Sequence, residues 1–151
     1  MKKRIIKMMV SICALLCIVG VSLCAYAADG ASVSYTGTIP QASAGDVVND
    51  YLDGVRAAVT FACCTSGGDN VSLWYVQYGI NCGDDNWVYL TNFDANEDYY
   101  LLVSIGIHKD EGKWANDITI PSDFDIVSVD RDDRNCRYLT LKSKEPICRS
   151  V

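Results

Sequence analysis

The sequence predicts an all-β domain, an antiparallel β-sandwich or barrel of about eight or nine hairpin-linked strands held by disulfides. Apolar residues recur with a period of two through most of the chain. Clusters of Gly, Asn and Asp separate the apolar runs at intervals of roughly 8–14 residues. These residues suit tight turns because they tolerate positive φ or bond to their own backbone.

Nine segments carry the strand pattern. The alternation is clearest from Val55 to Cys63 and from Tyr99 to Ile107, and the later segments are rich in β-branched and aromatic residues. In chain order, strands are expected at residues 31–38, 54–64, 71–80, 87–93, 99–108, 114–120, 124–131, 136–144 and, as a short ninth, 146–150.

One helical turn is expected at residues 46–53, before the second strand. Ser43 and Asp46 have the spacing of a capping box, and Gly54 can end the helix. The apolar side of this turn is formed by Val47, Val48, Tyr51 and Leu52.

The strand that begins at Val71 is apolar on both faces, with Leu73 and Tyr75 on one and Trp74 and Val76 on the other. A strand of this kind is usually central in its sheet and covered on both sides. Trp74 is therefore expected in the core.

The N-terminus has the pattern of a secretory signal peptide. A basic start precedes an almost wholly apolar run from Met8 to Cys24, and Ala25 and Ala27 supply the small residues that a signal peptidase needs. The run of about 17 residues is at the short limit for a membrane span. We expect residues 1–27 to be cleaved and residues 28–151 to form a single secreted, extracellular β domain.

The mature part is strongly acidic. The signal peptide contains four of the thirteen Lys and Arg residues and none of the nineteen acidic residues, so nine basic and nineteen acidic residues remain, a net charge of −10. Binding to phosphates or to an anionic membrane needs clustered basic residues. Nucleic acid and membrane surfaces are therefore not expected partners.

Five cysteines remain after the signal peptide, and in an exported chain they should be oxidised. If successive strands alternate in direction, Cys82 and Cys136 lie at one end of the domain, and Cys148 lies at the other end with Cys63 and Cys64. The expected disulfides join Cys82 to Cys136, and Cys148 to Cys63 or Cys64. The odd count leaves one thiol, which could join two copies into a dimer.

Two tryptophans each open an expected strand after a polar loop, and the same count of strand directions places them beside the only histidine and two acids. This arrangement suits a carbohydrate, because an aromatic ring stacks on the C–H face of a sugar and carboxylates accept hydrogen bonds from its hydroxyls. The competing interpretation is that both tryptophans pack at the edge of the core. The candidate ligand site consists of Trp87, Trp114, His108, Asp84 and Asp85.

Asp94, Asn96 and Asp98 match the first half of a calcium-binding loop, in which oxygen ligands stand at alternate positions. The second half departs from that pattern, since the sixth position is Tyr99 rather than Gly and the twelfth is Ile105 rather than Glu. An EF-hand is excluded. A calcium site in a hairpin loop remains one hypothesis beside a solvated acidic turn.

No catalytic signature stands out. His108 has no Gly-x-Ser-x-Gly elbow to accompany it, and nineteen acidic residues supply carboxylate pairs by number alone. The leading hypothesis is a secreted non-catalytic module that binds a glycan or an extracellular protein, with a structural calcium as an option. The alternatives are a secreted effector or inhibitor of a partner protein, and a small hydrolase that uses acidic residues.

Overall fold

The computed structural model describes residues 31–65, 71–82, 92–109, 118–131 and 136–151. Within these ranges seven strands form two sheets, and one helix precedes the second strand. In chain order the elements are β1 (Ala31–Gly37), α1 (Val48–Ala58), β2 (Val59–Thr65), β3 (Val71–Cys82), β4 (Tyr99–Lys109), β5 (Ile118–Thr119), β6 (Phe124–Arg131) and β7 (Cys136–Ser143).

The strands form a three-stranded sheet of order β2-β1-β5 and a four-stranded sheet of order β3-β4-β7-β6. All neighbours are antiparallel except β1 and β5. The predicted all-β architecture of mainly antiparallel strands is confirmed. The barrel alternative is wrong, because the described strands form two separate sheets and neither closes on itself.

The core lies between the sheets, and β4 and three packed aromatic rings supply much of it. Phe124 of β6 packs edge-on against Tyr35 of β1 and Phe61 of β2, with ring centroids 5.8 Å and 5.9 Å away. These contacts join the four-stranded sheet to the three-stranded sheet. The fully buried residues of β4 are Leu101, Val103, Ile105 and Ile107.

The helix α1 is longer than the single turn predicted from the sequence. Its apolar residues keep helical spacing past Gly54, so the prediction that Gly54 ends the helix and that a strand begins there is wrong. The extended conformation begins at Val59, where β-branched and aromatic residues follow one another. The buried residues of the helix are Val48, Tyr51, Leu52 and Val55.

The predicted capping box forms only in part. The backbone N–H of Ser43 donates to Asp46 Oδ2 at 2.7 Å, as the pattern requires. The helix nevertheless begins two residues later, at Val48, and its N-cap is Val47, which makes no side-chain capping bond.

Gly37 ends β1 at a position that only glycine fits. Its φ is +96°, and a Cβ there would stand 1.8 Å from the carbonyl oxygen of Ala58 at the end of α1. Because glycine has no Cβ, the end of β1 can approach the start of β2 directly, and Gly37 pairs with Val59.

Most other predicted strands agree with the structure. The segments 31–38, 71–80, 99–108, 124–131 and 136–144 correspond to β1, β3, β4, β6 and β7. The segment 114–120 is represented by β5 and 87–93 by a bridge between Asn92 and Val47, while residues 87–91 and 114–117 lie outside the described residues. The segment 146–150 is not a strand and contributes only a bridge between Cys148 and Tyr99.

The predicted disulfide between Cys82 and Cys136 is not supported. Cys82 pairs with Tyr99 at the start of β4, and Cys136 pairs with His108 near its end. Nine residues of extended strand separate those positions by about 30 Å, whereas a disulfide needs Cα atoms within about 7 Å. The prediction counted the expected strand at 87–93 as one crossing of the domain between β3 and β4. In the structure Cys82 pairs directly with Tyr99, so β4 begins at the same end of the domain at which β3 ends.

The second predicted disulfide is not supported either. Cys63, Cys82 and Cys148, whose side chains the structure describes, are all unbridged. Cys63 pairs with Val33 in the three-stranded sheet, whereas Cys148 lies beside Tyr99, the first residue of β4 in the four-stranded sheet. The side chains of Cys64 and Cys136 lie outside the described part of the chain.

Because of Cys63, the stability of the reduced protein is expected to fall at alkaline pH. Burial raises the pKa of its thiol from 9.0 to about 11. The folded state therefore holds the proton more tightly than the unfolded state, so this contribution to stability is complete below pH 9 and is lost as the pH rises toward 11.

With a reductant present, urea unfolding at pH 8 and at pH 10.5 is expected to show a smaller alkaline loss of stability for Cys63→Ala than for the unmodified protein. Burial also raises the pKa of Tyr35 and Tyr51, so these tyrosines add to the alkaline loss of stability in both proteins. The result is therefore the difference in that loss between the two proteins. An equal alkaline loss in both proteins would show that Cys63 does not titrate with a raised pKa.

Candidate functional site

β3 is an edge strand of its sheet, and a bulge reorients its first half. The register with β4 shifts between Leu73 and Tyr75. Leu73 and Val76 pack against the core, while Trp74 is 53% exposed and Tyr75 36% exposed. The prediction of a central strand with Trp74 in the core is wrong, because the extra residue of a bulge moves side chains off the expected face.

Trp74, Tyr75 and Tyr138 form an aromatic cluster on the outer face of the four-stranded sheet, which is the face turned away from the core. The ring centroids are 6.0 Å apart for Trp74 and Tyr75, 5.7 Å for Trp74 and Tyr138, and 6.3 Å for the two tyrosines. Tyr138 meets the other two rings edge-on, at 70° and 75°, and Trp74 and Tyr75 are tilted by 48°. These distances are those of favourable aromatic pairs. The three rings therefore support one another at the surface.

Gly106 of β4 makes room for the indole. It lies in register between Tyr75 and Tyr138. A Cβ on Gly106 would stand 3.1 Å from Trp74 Nε1, 3.2 Å from Trp74 Cε2 and 3.0 Å from Tyr75 Cβ. The indole thus lies over the backbone of β4 and against the rings of Tyr75 and Tyr138, and about half of the residue faces solvent.

The variant Gly106→Ala is expected to displace Trp74 while the protein remains folded. The added methyl group would occupy space that the indole now uses, and the side chain of an exposed tryptophan can move away. Near-UV circular dichroism should change, and the Tm should fall by a few degrees at most.

The matched control is Gly54→Ala, where a Cβ meets nothing within 4 Å. In the middle of a helix this exchange is expected to stabilise the protein by up to about 1 kcal/mol and to leave the near-UV spectrum unchanged. An unchanged spectrum in Gly106→Ala would show that the indole does not lie over this glycine.

A row of small polar side chains runs beside the aromatic cluster. Strand pairing places Gln77, Ser104, Thr140 and Ser128 next to one another across the four strands, and these four residues are called the polar row. The hydroxyls of Ser104 and Thr140 are 3.4 Å apart, and the Tyr75 hydroxyl donates to Gln77 Oε1. The outer face thus presents hydroxyl and amide groups directly beside aromatic rings.

Of the predicted ligand site, the structure describes only His108. It lies on β4 two residues beyond Gly106, on the same outer face, and pairs with Ser72. The other four, Trp87, Trp114, Asp84 and Asp85, lie outside the described residues, so their grouping stays a prediction.

Asp94, Asn96 and Asp98 lie in the segment that leads into β4. Asp94 Oδ1 accepts hydrogen bonds from the backbone and side-chain N–H groups of Asn96, both at 2.9 Å. Asp98 Oδ1 accepts one from the Ser150 N–H at 2.6 Å, and this bond lowers the pKa of Asp98. Both carboxylates thus hold the chain in place. Among the described residues no group of three or more His, Cys, Asp and Glu could hold a metal ion, and calcium binding stays a prediction.

The described thiols are not activated as nucleophiles. Burial raises the pKa of Cys63, Cys82 and Cys148, and nearby Glu97 raises that of Cys82 further. A reactive cysteine needs the opposite shift, because the thiolate is the attacking form. These three side chains fit a structural role.

The aromatic cluster was missed at the level of sequence, although a signal for it exists. From residue 76 to residue 81 of β3, apolar and polar residues alternate, so one face of this strand is suited to solvent. The pair Trp74 and Tyr75 interrupts that alternation, which is the mark of a bulge. The apolar positions are Val76, Tyr78 and Ile80. The positions between them are Gln77, Gly79 and Asn81.

No helix in the described ranges is long and apolar enough to cross a membrane. Comparisons with protein-family models, with curated proteins and with solved structures find no match for this chain. The functional assignment therefore depends on the geometry of the outer face.

Proposed function

We propose that this protein is a secreted, non-catalytic module that binds a glycan on the outer face of its four-stranded sheet. The observation that carries the proposal is the exposed aromatic cluster around Trp74. A tryptophan with about half of its surface in water, supported by two tyrosines, is an unusual feature of a soluble domain. A ring held in this way can stack on the C–H face of a sugar.

The surroundings of the cluster favour a glycan over a protein as the ligand. A sugar ring combines an apolar face with a dense rim of hydroxyls, so its site needs rings and hydrogen-bonding groups side by side. The polar row lies next to the aromatic cluster and provides hydroxyl and amide groups. A protein interface would be expected to have a broader apolar centre.

The other parts of the proposal rest on the sequence and on the described thiols. The signal-peptide pattern of residues 1–27 supports secretion, and secretion would bring the outer face into contact with extracellular polysaccharides. The outer face presents rings, hydroxyls and amides, and the three described thiols are not activated. Binding without turnover is the function that these groups support.

A protein partner is the second candidate, and the edge strand β6 favours it. Ile126, Val127 and Val129 are all more than two-fifths exposed on that strand. Apolar side chains on an open edge suit pairing with a strand of another protein. A secreted effector or inhibitor could use this edge, although the bulge between Ile126 and Ser128 interrupts its regular ladder.

A pull-down separates the two candidates. The mature secreted protein is incubated with insoluble cellulose, chitin, xylan, mannan and bacterial cell walls, first with calcium and then with a chelator. We expect retention on at least one polymer, and loss of retention with the chelator would add the predicted calcium site to the mechanism. Absence from every pellet would contradict the glycan function and favour a protein partner, to be sought by cross-linking in the native medium.

A further inference from the structure

Strand pairing arranges the side chains of the outer face in rows that run across the four strands. Tyr75, Gly106, Tyr138 and Asp130 are paired in register on β3, β4, β7 and β6, and these four residues are called the aromatic row. Three spacings between neighbouring strands make this row about 14 Å long. It therefore crosses the whole sheet at a right angle to the strands.

The polar row runs parallel to the aromatic row. Each of its members is the next residue on the same face of its strand, so the two rows are separated by roughly 7 Å. A ligand that lies across the strands meets rings along one side and hydroxyl or amide groups along the other. A ligand that lies along the strands contacts the aromatic row at only one sugar position. It then crosses the polar row and meets Leu102, Tyr100 and Lys142.

The charges near the rows oppose an anionic ligand. The aromatic row ends at Asp130, which is exposed. Asp125, on the same face of β6, forms an ion pair with Lys144 at 3.8 Å, so the negative charge at the end of the row is that of Asp130. Lys142 pairs with Asp125 and lies over the Tyr100 ring at 4.5 Å, beyond the polar row. After removal of residues 1–27 the whole chain would carry a charge of −10. Carboxylates or sulfates on a glycan would thus be repelled where the row ends.

We infer that the glycan is a neutral, linear chain that lies across the four strands, with its sugar faces on the aromatic row and its hydroxyls on the polar row. The inference rests on the proposed function, because it names the chemical class and the direction of the ligand at the same site. A carboxylate at the end of the row also suits a neutral sugar, since it accepts hydrogen bonds from two hydroxyls at once.

The test of charge uses soluble polymers that share a backbone and differ in charge. Hydroxyethyl cellulose is compared with carboxymethyl cellulose, and arabinoxylan with glucuronoxylan, by affinity electrophoresis of the mature protein. The neutral member of a pair should retard the protein more strongly, and Asp130→Lys should narrow or reverse the difference. Stronger retardation by the acidic member in the unmodified protein would overturn the neutral class.

The test of direction compares two variants on opposite routes from the cluster. Ser128→Ala removes a hydroxyl that a chain across the strands would contact, and a roughly fivefold loss of affinity is expected for one hydrogen bond. Lys142→Gln, on the route along the strands, should bind like the unmodified protein. If Lys142→Gln loses affinity and Ser128→Ala does not, the inference that the glycan lies across the strands would be overturned.

A third variant, Trp74→Ala, keeps the two proposals distinguishable, because the indole is needed for either direction. If it abolishes binding while Ser128→Ala has no effect, the glycan function stands and the direction is wrong. If no polymer retards the protein at all, both are wrong. Near-UV circular dichroism of each variant confirms that the fold is retained.

Discussion

Replacing Trp74 with alanine is expected to weaken binding to the retained polysaccharide by at least an order of magnitude while the domain stays folded. Removal of a central aromatic anchor costs about 2 kcal/mol or more of binding free energy, which corresponds to roughly thirtyfold in affinity. The indole is 53% exposed, so its loss removes little buried area from the core. Depletion isotherms on the insoluble polymer measure the affinity.

Val127→Ala is the matched control for Trp74→Ala. Val127 is 43% exposed on β6 and lies in neither row of the outer face. Its truncation should leave the affinity unchanged. Should Trp74→Ala bind as tightly as the unmodified protein, the site lies elsewhere, and the predicted pair Trp87 and Trp114 becomes the next to replace by alanine.

Replacing Phe124 with alanine is expected to cost about 3–5 kcal/mol of unfolding free energy, the range for a large aromatic side chain in a core. Phe124 is 2% exposed and packs edge-on against Tyr35 and Phe61 of the other sheet. The cavity would open between the two sheets, where the rings that remain cannot easily collapse into it. Because a domain is stable by only about 5–15 kcal/mol, urea unfolding should show a large shift of the midpoint.

The control for Phe124→Ala lies on the same strand. Val129 is 47% exposed, so Val129→Ala should change the unfolding free energy by less than about 1 kcal/mol. Equal effects of the two exchanges would mean that Phe124 does not join the sheets as its contacts indicate.

Local sequence pattern was sufficient to predict most strands. The period-two alternation of β4 and the β-branched runs of β6 and β7 depend only on neighbouring residues. For the same reason the all-β class and the antiparallel arrangement were predicted correctly. The extent of α1 was not, because Val55 fits both the helical spacing that precedes it and the strand pattern that follows it.

The candidate site around Trp74 was not predicted from the sequence. His108 was predicted to group with Trp87, Trp114, Asp84 and Asp85, and this grouping stays a prediction because only His108 lies among the described residues. The exposure of Trp74 was not predicted, because it depends on a bulge in the pairing of β3 with β4. One extra residue in a strand moves side chains to the opposite face.

The sequence by itself determined most of the segments that become strands, because those depend on short-range patterns of apolar residues. Only the tertiary structure decided which strands are neighbours, and with that the separation of Cys82 from Cys136 and the alignment of Tyr75, Gly106, Tyr138 and Asp130 in one row. Pairing joins residues far apart in the chain, and its register follows from packing of the whole core.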